Sequence, residues 1–256
     1  MSDGKQRPIL FSTPMVQAIL EGRKTVTRRT RGLDKLNEEG FWNYSHNSLT
    51  GEVPHPAKKY DDGAPWYLFN PKNSNAMSWI MQCPYGKVGD ILYVRESFHD
   101  GYNGMLDPNI GKEEKDWTMH YWVFKDGAQM YSTGEYFPGP KDKEPNFATG
   151  TKWRPSIHMP KAACRIWLQI VSIRLERLNE INHYSALAEG IEVKHDDECD
   201  IYKDYEATTE FSPFGDTYYE TPFFSFKSLW KKINGIESWD KNPWVWVVEF
   251  KRIEKP

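Results

Sequence analysis

The residues with the clearest chemical potential lie together in the stretch Gly22-Arg23-Lys24-Thr25-Val26-Thr27-Arg28-Arg29. The stretch favours a strand, and most of its side chains are cations or hydroxyls. Cations this close repel one another, so a folded chain needs a reason to hold them together. Two interpretations follow: a solvated basic edge strand, or a pocket for a ligand that is anionic or rich in hydrogen-bond acceptors.

A helix is predicted to lead into this stretch. Pro14 suits a first helical turn, and Gly22 suits the left-handed residue that ends a helix. In a straight strand, Lys24 and Thr27 would point to opposite faces because they are three residues apart. If both serve one site, we expect the chain to turn near Lys24 and Thr25 and to bring them together.

The remaining pattern predicts further strands, helices and insertions. Strands are predicted at residues 8–11, 91–96, 163–178 and 244–250. Helices are predicted up to Ala188, with Asn182 as the cap and Gly190 after the end, and at 221–233. Three long segments lack periodicity, and we interpret them as insertions into one compact domain, at 32–86, 99–150 and 195–219. Within the second insertion, Lys125-Asp126-Gly127 between two β-prone runs predicts a hairpin.

Five motifs in this order resemble the ASCH domain, a branch of the PUA-like superfamily, in its larger phage and prophage form. The first motif fits the signature Gly-x-Lys-x-x-Glu-x-Arg, with Thr27 in place of the Glu. The other four are Gly89-Asp90-Ile91-Leu92-Tyr93-Val94-Arg95-Glu96, Trp153-Arg154-Pro155-Ser156-Ile157-His158-Met159-Pro160, Leu187-Ala188-Glu189-Gly190-Ile191 and Asn242-Pro243-Trp244-Val245-Trp246-Val247.

The resemblance implies an α+β fold, namely a PUA-like mixed β-barrel with flanking helices and long inserted loops. It implies one domain over residues 1–256, with the insertions at 32–86, 99–150 and 195–219. It also implies a nucleoside, a modified base or RNA as the ligand, held in a cleft beside the first helix.

A small bacterial ASCH protein that this chain resembles at the first motif is an amidohydrolase that removes the acyl group from N4-acetylcytidine. The resemblance matches its catalytic Lys and Thr to Lys24 and Thr27, and its catalytic Glu to Glu189, with Glu180 or Glu192 as alternatives. A Thr hydroxyl attacks once a base takes its proton, and burial and nearby cations favour the neutral Lys that such a base must be. A Glu can orient the Lys or carry protons to the leaving amine. The alternative is an ion pair that only holds helix to strand.

Several arginines are candidates for ligand binding. Arg28 and Arg29 suit bidentate contacts with phosphate or a base edge, and Arg95, Arg154 and His158 extend the set. The alternatives are salt bridges to acids for the arginines and a structural hydrogen bond for His158. A non-catalytic RNA- or nucleotide-binding module, or a ribonuclease, therefore competes with the hydrolase, since a fold does not determine a function.

Composition limits the function classes. The formal net charge of −3 confines any nucleic-acid contact to a local patch, and the 11 Trp residues suit base stacking as well as core packing. Three widely spaced cysteines favour a reducing compartment, and we find no signal-peptide core and no run of membrane-spanning length. We therefore expect a cytoplasmic protein with no membrane partner.

Common cofactor motifs are missing from the sequence. Neither a metal-site spacing, a Walker loop nor a dinucleotide fingerprint is found. We therefore expect no metal and no cofactor. The pattern leaves the oligomeric state open.

Overall fold

The computed structural model describes residues 4–39, 43–45, 66–69, 79–102, 120–131, 134–137, 153–195, 199–207 and 218–256. The described α-helices are α1 (Thr13–Leu20), α2 (Asp34–Glu39), α3 (His183–Ala188) and α4 (Pro222–Asn234). None of them is long and apolar enough to cross a membrane. The described strands are β1 (Gln6–Leu10), β2 (Val26–Arg29), β3 (Asn43–Ser45), β4 (Trp66–Phe69), β5 (Trp79–Met81), β6 (Ile91–Arg95), β7 (Phe98–Tyr102), β8 (His120–Phe124), β9 (Gln129–Tyr131), β10 (Tyr136–Phe137), β11 (Trp167–Arg177), β12 (Val193–His195), β13 (Asp200–Lys203), β14 (Tyr218–Tyr219) and β15 (Trp244–Ile253).

The largest described sheet has five strands in the order β1-β6-β11-β15-β2. Strand β1 runs parallel to β6, and β15 runs antiparallel to β2 with Val247 opposite Arg28. The smaller sheets have the orders β10-β9-β8-β7, β12-β13-β14 and β3-β4-β5. The predicted α+β class is confirmed. Closure of the main sheet into a barrel is not confirmed, because β1 and β2 are its edges among the described strands.

The chain divides into two compact units. The first contains Met1–Lys5, Ala18–Asp90 and Gln169–Lys251, and the second contains Gln6–Gln17, Ile91–Leu168 and Arg252–Pro256. In the first unit, Val26, Val247, Phe226 and Trp230 belong to one apolar core. In the second, the core includes Phe98, Trp122, Phe124 and Trp167. The expectation of a single domain stays a prediction.

The predicted helix before the basic stretch is confirmed as α1, and Gly22 follows it in the left-handed region with φ 78°. Lys24 then forms an isolated antiparallel bridge with Glu189, and β2 begins at Val26. The expected passage from helix to strand therefore lies at Lys24 and Thr25.

The end of α3 meets the same bridge. Asn182 caps α3, because its side chain accepts a hydrogen bond from the Ser185 backbone N–H at 2.9 Å. Gly190 follows with φ 83°, and a Cβ on it would lie 2.7 Å from the Lys24 Cβ and 2.8 Å from the Ala18 Cβ. Only glycine permits this backbone conformation and this close approach together.

Large parts of the predicted insertions lie outside the described residues. One prediction within them is confirmed: β8 and β9 form an antiparallel pair on either side of Lys125-Asp126-Gly127. Gly127 has φ 78°, as a tight hairpin turn requires.

Candidate functional site

The Lys24 side chain is held by oxygen atoms from two segments of the first unit. Its Nζ donates hydrogen bonds of 2.8 Å each to the Glu189 carboxylate, the Glu189 carbonyl and the Val26 carbonyl. Backbone pairing keeps these segments together, since the Thr25 N–H donates to the Ala188 carbonyl at 2.9 Å. The end of α1 and the end of α3 thus position one ammonium group between them.

Burial dominates the electrostatics of Lys24, whose side chain is 0% exposed. Burial lowers the pKa of Lys24. The negative charge of Glu189 opposes this decrease, whereas the nearby Arg29 and Arg28 lower the pKa further. Three oxygen acceptors around one Nζ are the arrangement of a charged ammonium, which has three N–H groups. The lowered pKa makes the loss of one of those protons easier than for an exposed lysine.

The structure distinguishes among the three candidate glutamates. Glu189 contacts Lys24, whereas the Glu180 carboxylate accepts a hydrogen bond from the Arg177 N–H at 3.2 Å. Glu192 pairs with Lys203 at 3.0 Å. Glu189 is selected because it follows the last turn of α3, where the chain meets Lys24.

Arg28 is buried among acids rather than presented to a ligand. Its guanidinium lies 3.1 Å from Glu189 and 3.3 Å from Glu176, and its side chain is 1% exposed. The same group lies 5.8 Å from the centre of the Phe226 ring, and its Nε has no hydrogen-bond partner among the described residues. The expected phosphate contact of Arg28 is replaced here by internal ion pairs.

Three residues that the sequence analysis missed extend this cluster. Glu176 also pairs with Arg174, and Arg174 pairs with Glu249 on β15. Three cations and three carboxylates therefore alternate in one network: Lys24, Glu189, Arg28, Glu176, Arg174 and Glu249. A signal was available for part of it, because Arg174 and Glu176 are two residues apart on a predicted strand and share a face.

Thr27 lies on the other face of β2. Neighbouring residues of a strand point to opposite faces, and Arg28 occupies the face that reaches Glu189. The Thr27 hydroxyl accepts a hydrogen bond from Arg29 Nε at 3.2 Å. In the part of the chain that the structure describes, Thr27 has no hydrogen bond to Lys24 or Glu189. The turn at Lys24 and Thr25 therefore does not bring the hydroxyl into contact with the ammonium.

Arg29 is half-buried, and with exposed Arg31 it lies near Tyr85. Burial raises the pKa of Tyr85, and the two guanidinium groups oppose that rise through their charge. Both arginines are therefore within electrostatic reach of one phenol. Because Arg28 is buried, the basic surface beside β2 consists of Arg29 and Arg31.

The other predicted binding residues belong to the second unit. Arg95 donates hydrogen bonds to the carbonyls of Met159 and Ile157. Arg154 is exposed, and its backbone pairs with Phe98. His158 is exposed at the end of the short 3-10 helix Ser156–His158. Arg95 thus supports a loop, while the other two side chains are at its surface.

Comparisons with known proteins give no match for this chain, whether against family models, curated proteins or solved structures. Among the described residues, no group of three or more His, Cys, Asp or Glu side chains is arranged to hold a metal ion.

Proposed function

We propose that this chain is a nucleoside- or RNA-interacting protein of the ASCH type with a PUA-like fold. The observation that carries the proposal is the 2.8 Å contact between Lys24 and Glu189, which are 165 residues apart in the sequence. The family resemblance assigns a functional Lys to the first motif and a functional Glu to the end of the helix after the longest strand. Their meeting supports treating both motifs as parts of one site.

The reaction that this pair suits is hydrolysis of the amide in an acylated nucleoside such as N4-acetylcytidine. Neutral Lys24 takes the proton of the Thr27 hydroxyl, and the Thr27 oxygen attacks the acyl carbon. The bond from that carbon to the N4 nitrogen breaks, and Lys24, held by Glu189, returns the proton to the departing amine. Water then hydrolyses the acyl-threonine ester to release acetate. For the first step, the backbone must also turn the Thr27 hydroxyl from its own face of β2 toward Lys24, so that a hydrogen bond to Lys24 replaces the one from Arg29.

Release of acetate from N4-acetylcytidine by the purified protein, without added metal, tests this reaction. Lys24→Ala and Thr27→Ala should each lower the rate by about a hundredfold or more, because general-base assistance is worth ~10²–10⁴. Thr27→Ser should keep part of the rate. Thr25→Ala removes an exposed hydroxyl two residues away and should leave the rate unchanged. Equal rates for wild type, Lys24→Ala and Thr27→Ala would exclude hydrolysis at this site.

A second candidate is binding without catalysis, and the occupied polar atoms of the site favour it. Lys24 Nζ already donates to three protein oxygens, and the Thr27 hydroxyl is hydrogen-bonded to Arg29. Both residues are 2% exposed. In this case the ion network joins strands and helix, and Arg29 and Arg31 contact the phosphates of a nucleotide or RNA.

Fluorescence anisotropy with a short labelled single-stranded RNA at low salt tests this candidate. Replacing Arg29 and Arg31 together by Ala should weaken binding, because two phosphate contacts are lost. Replacing the exposed Lys232 and Lys241 together by Ala removes the same charge elsewhere in the first unit and should have a smaller effect. Equal affinities for the two double variants would rule out the patch.

A further inference from the structure

A loop of the second unit presents aromatic, apolar and cationic side chains to solvent. Trp153 is 36% exposed and Ile157 is 56% exposed. Arg154, which follows Trp153, and His158, which follows Ile157, are exposed as well. Apolar and cationic groups side by side on a surface are typical of a contact with a partner rather than of simple solvation.

The backbone of this loop is fixed from several directions. The Arg95 guanidinium donates to the Met159 carbonyl at 2.8 Å and also to the Ile157 carbonyl. The backbone groups of Arg154 and Phe98 exchange two hydrogen bonds of 2.8 and 3.2 Å. Met159 is 1% exposed and anchors the loop in the core. A partner therefore meets a preformed loop, which reduces the conformational entropy lost on binding.

The charged side chains within the loop are cations. Residues 153–163 contain no Asp or Glu, and their cations Arg154 and Lys161 are exposed. Lys125 Nζ lies 5.7 Å from the centre of the Trp153 ring. The nearby acids Glu96 and Asp126 both pair with Arg165, at 2.7 and 2.8 Å. The surface is thus complementary to a polyanion.

We propose that residues 153–161, together with Lys125, form a binding platform for single-stranded nucleic acid. A base stacks on Trp153, and the adjoining phosphates contact Arg154 and Lys125, which is how aromatic and basic side chains hold single strands without reading their sequence. Arg95 is a positioning residue, since it acts through the two carbonyls. This inference rests on the proposed nucleic-acid interaction and assigns it to a specific surface.

Anisotropy titrations with labelled single-stranded RNA, single-stranded DNA and a duplex of the same sequence test the platform. Trp153→Ala should weaken single-strand binding roughly 5- to 150-fold, since one stacked base is worth ~1–3 kcal/mol. Trp153→Phe should keep part of the affinity. Tyr184→Ala removes an aromatic side chain that is 81% exposed in the first unit, and it should leave binding unchanged.

Arg95→Lys separates positioning from charge. Lysine keeps the charge but lacks the fork that donates to two carbonyls, so the loop should loosen and single-strand affinity should fall. If Arg95 acted only through its charge, the single-strand affinity of Arg95→Lys would equal that of wild type. A thermal melt shows whether Arg95→Lys is folded. If it is not folded, Trp153→Ala still tests the proposal.

The outcomes distinguish the platform from the wider proposal. If wild type binds single strands and Trp153→Ala binds them equally well, the platform is overturned, while binding through Arg29 and Arg31 stands. Preference for the duplex would also overturn it, because paired bases cannot stack on Trp153. If wild type binds no nucleic acid at low salt, both binding proposals fail, and acetate release remains as an independent test of the hydrolase.

Discussion

At the scale of single residues, one carboxylate serves two buried cations. Glu189 Oε2 accepts from Lys24, and Glu189 Oε1 accepts from Arg28. Both cationic side chains are at most 1% exposed, so water cannot replace the carboxylate as their partner. Buried ion pairs of this kind add little net stability over an apolar core, but losing one member leaves an uncompensated charge.

Glu189→Gln should therefore destabilise the protein by about 3–5 kcal/mol, because it removes the negative charge between two buried cations. Chemical denaturation measures the change. Glu192→Gln is the matched control, since the Glu192 side chain is 46% exposed and pairs with Lys203 at the surface. Its effect should stay below about 1 kcal/mol, as for other surface ion pairs. Equal small effects would show that the buried network is not needed for folding.

Lys24 should leave a signature in the pH dependence of stability. Its pKa is lowered in the folded protein, so between that lowered value and the ordinary value of about 10.4 the unfolded chain binds the extra proton. The free energy of unfolding should therefore rise as pH increases through this window. Lys24→Met should abolish the rise, and Lys251→Met, at an exposed lysine, should retain it. If the free energy of unfolding still rose with pH in Lys24→Met, the rise would come from another titrating group.

At the scale of elements, the site depends on how closely the end of α3 approaches the end of α1. Gly190 allows the approach, because an added Cβ would meet the Cβ atoms of Lys24 and Ala18. Gly22 provides a comparison within the chain. Its φ is similarly positive at 78°, but an added Cβ there would meet no atom of the described residues within 4 Å.

Gly190→Ala should consequently destabilise the protein more than Gly22→Ala. Both variants bear the strain of a positive φ, of order 1–3 kcal/mol, and only the first adds a steric clash. The difference between the two midpoints of urea unfolding isolates the clash. Gly190→Ala should also slow acetate release if Lys24 is catalytic, since the clash displaces Lys24 from Glu189. Equal destabilisation would mean that the ends of the two helices separate easily.

At the scale of the whole molecule, the charge balance limits nucleic-acid binding. A net charge of −3 repels a polyanion, so any association depends on local groups of cations. With two to four phosphate contacts, the plot of log affinity against log salt should have a slope of about −1.4 to −2.8 for a single strand. Titrations between low and physiological salt measure it. Binding that does not respond to salt would exclude phosphate contacts and favour an uncharged nucleoside as the ligand.

The sequence by itself determined the features that depend on near neighbours. The end of α1 at Gly22, the cap of α3 at Asn182 and the hairpin turn at Gly127 each follow from residue types within a few positions. These signals act through local backbone preferences and local hydrogen bonds, so no knowledge of distant segments is needed. The α+β class is implied by the family resemblance, and the predicted order of strands and helices is compatible with it.

Only the tertiary structure decided which charges meet. Glu180, Glu189 and Glu192 lie within thirteen residues of one another, and only the approach of α3 to Lys24 selects Glu189. The burial of Arg28 and the turning of Thr27 toward Arg29 depend on the residue at which β2 begins, because a shift of one residue exchanges the two faces of a strand. Ion pairs between distant segments depend on strand register and on helix position, which are set by packing of the whole fold and not by any local pattern.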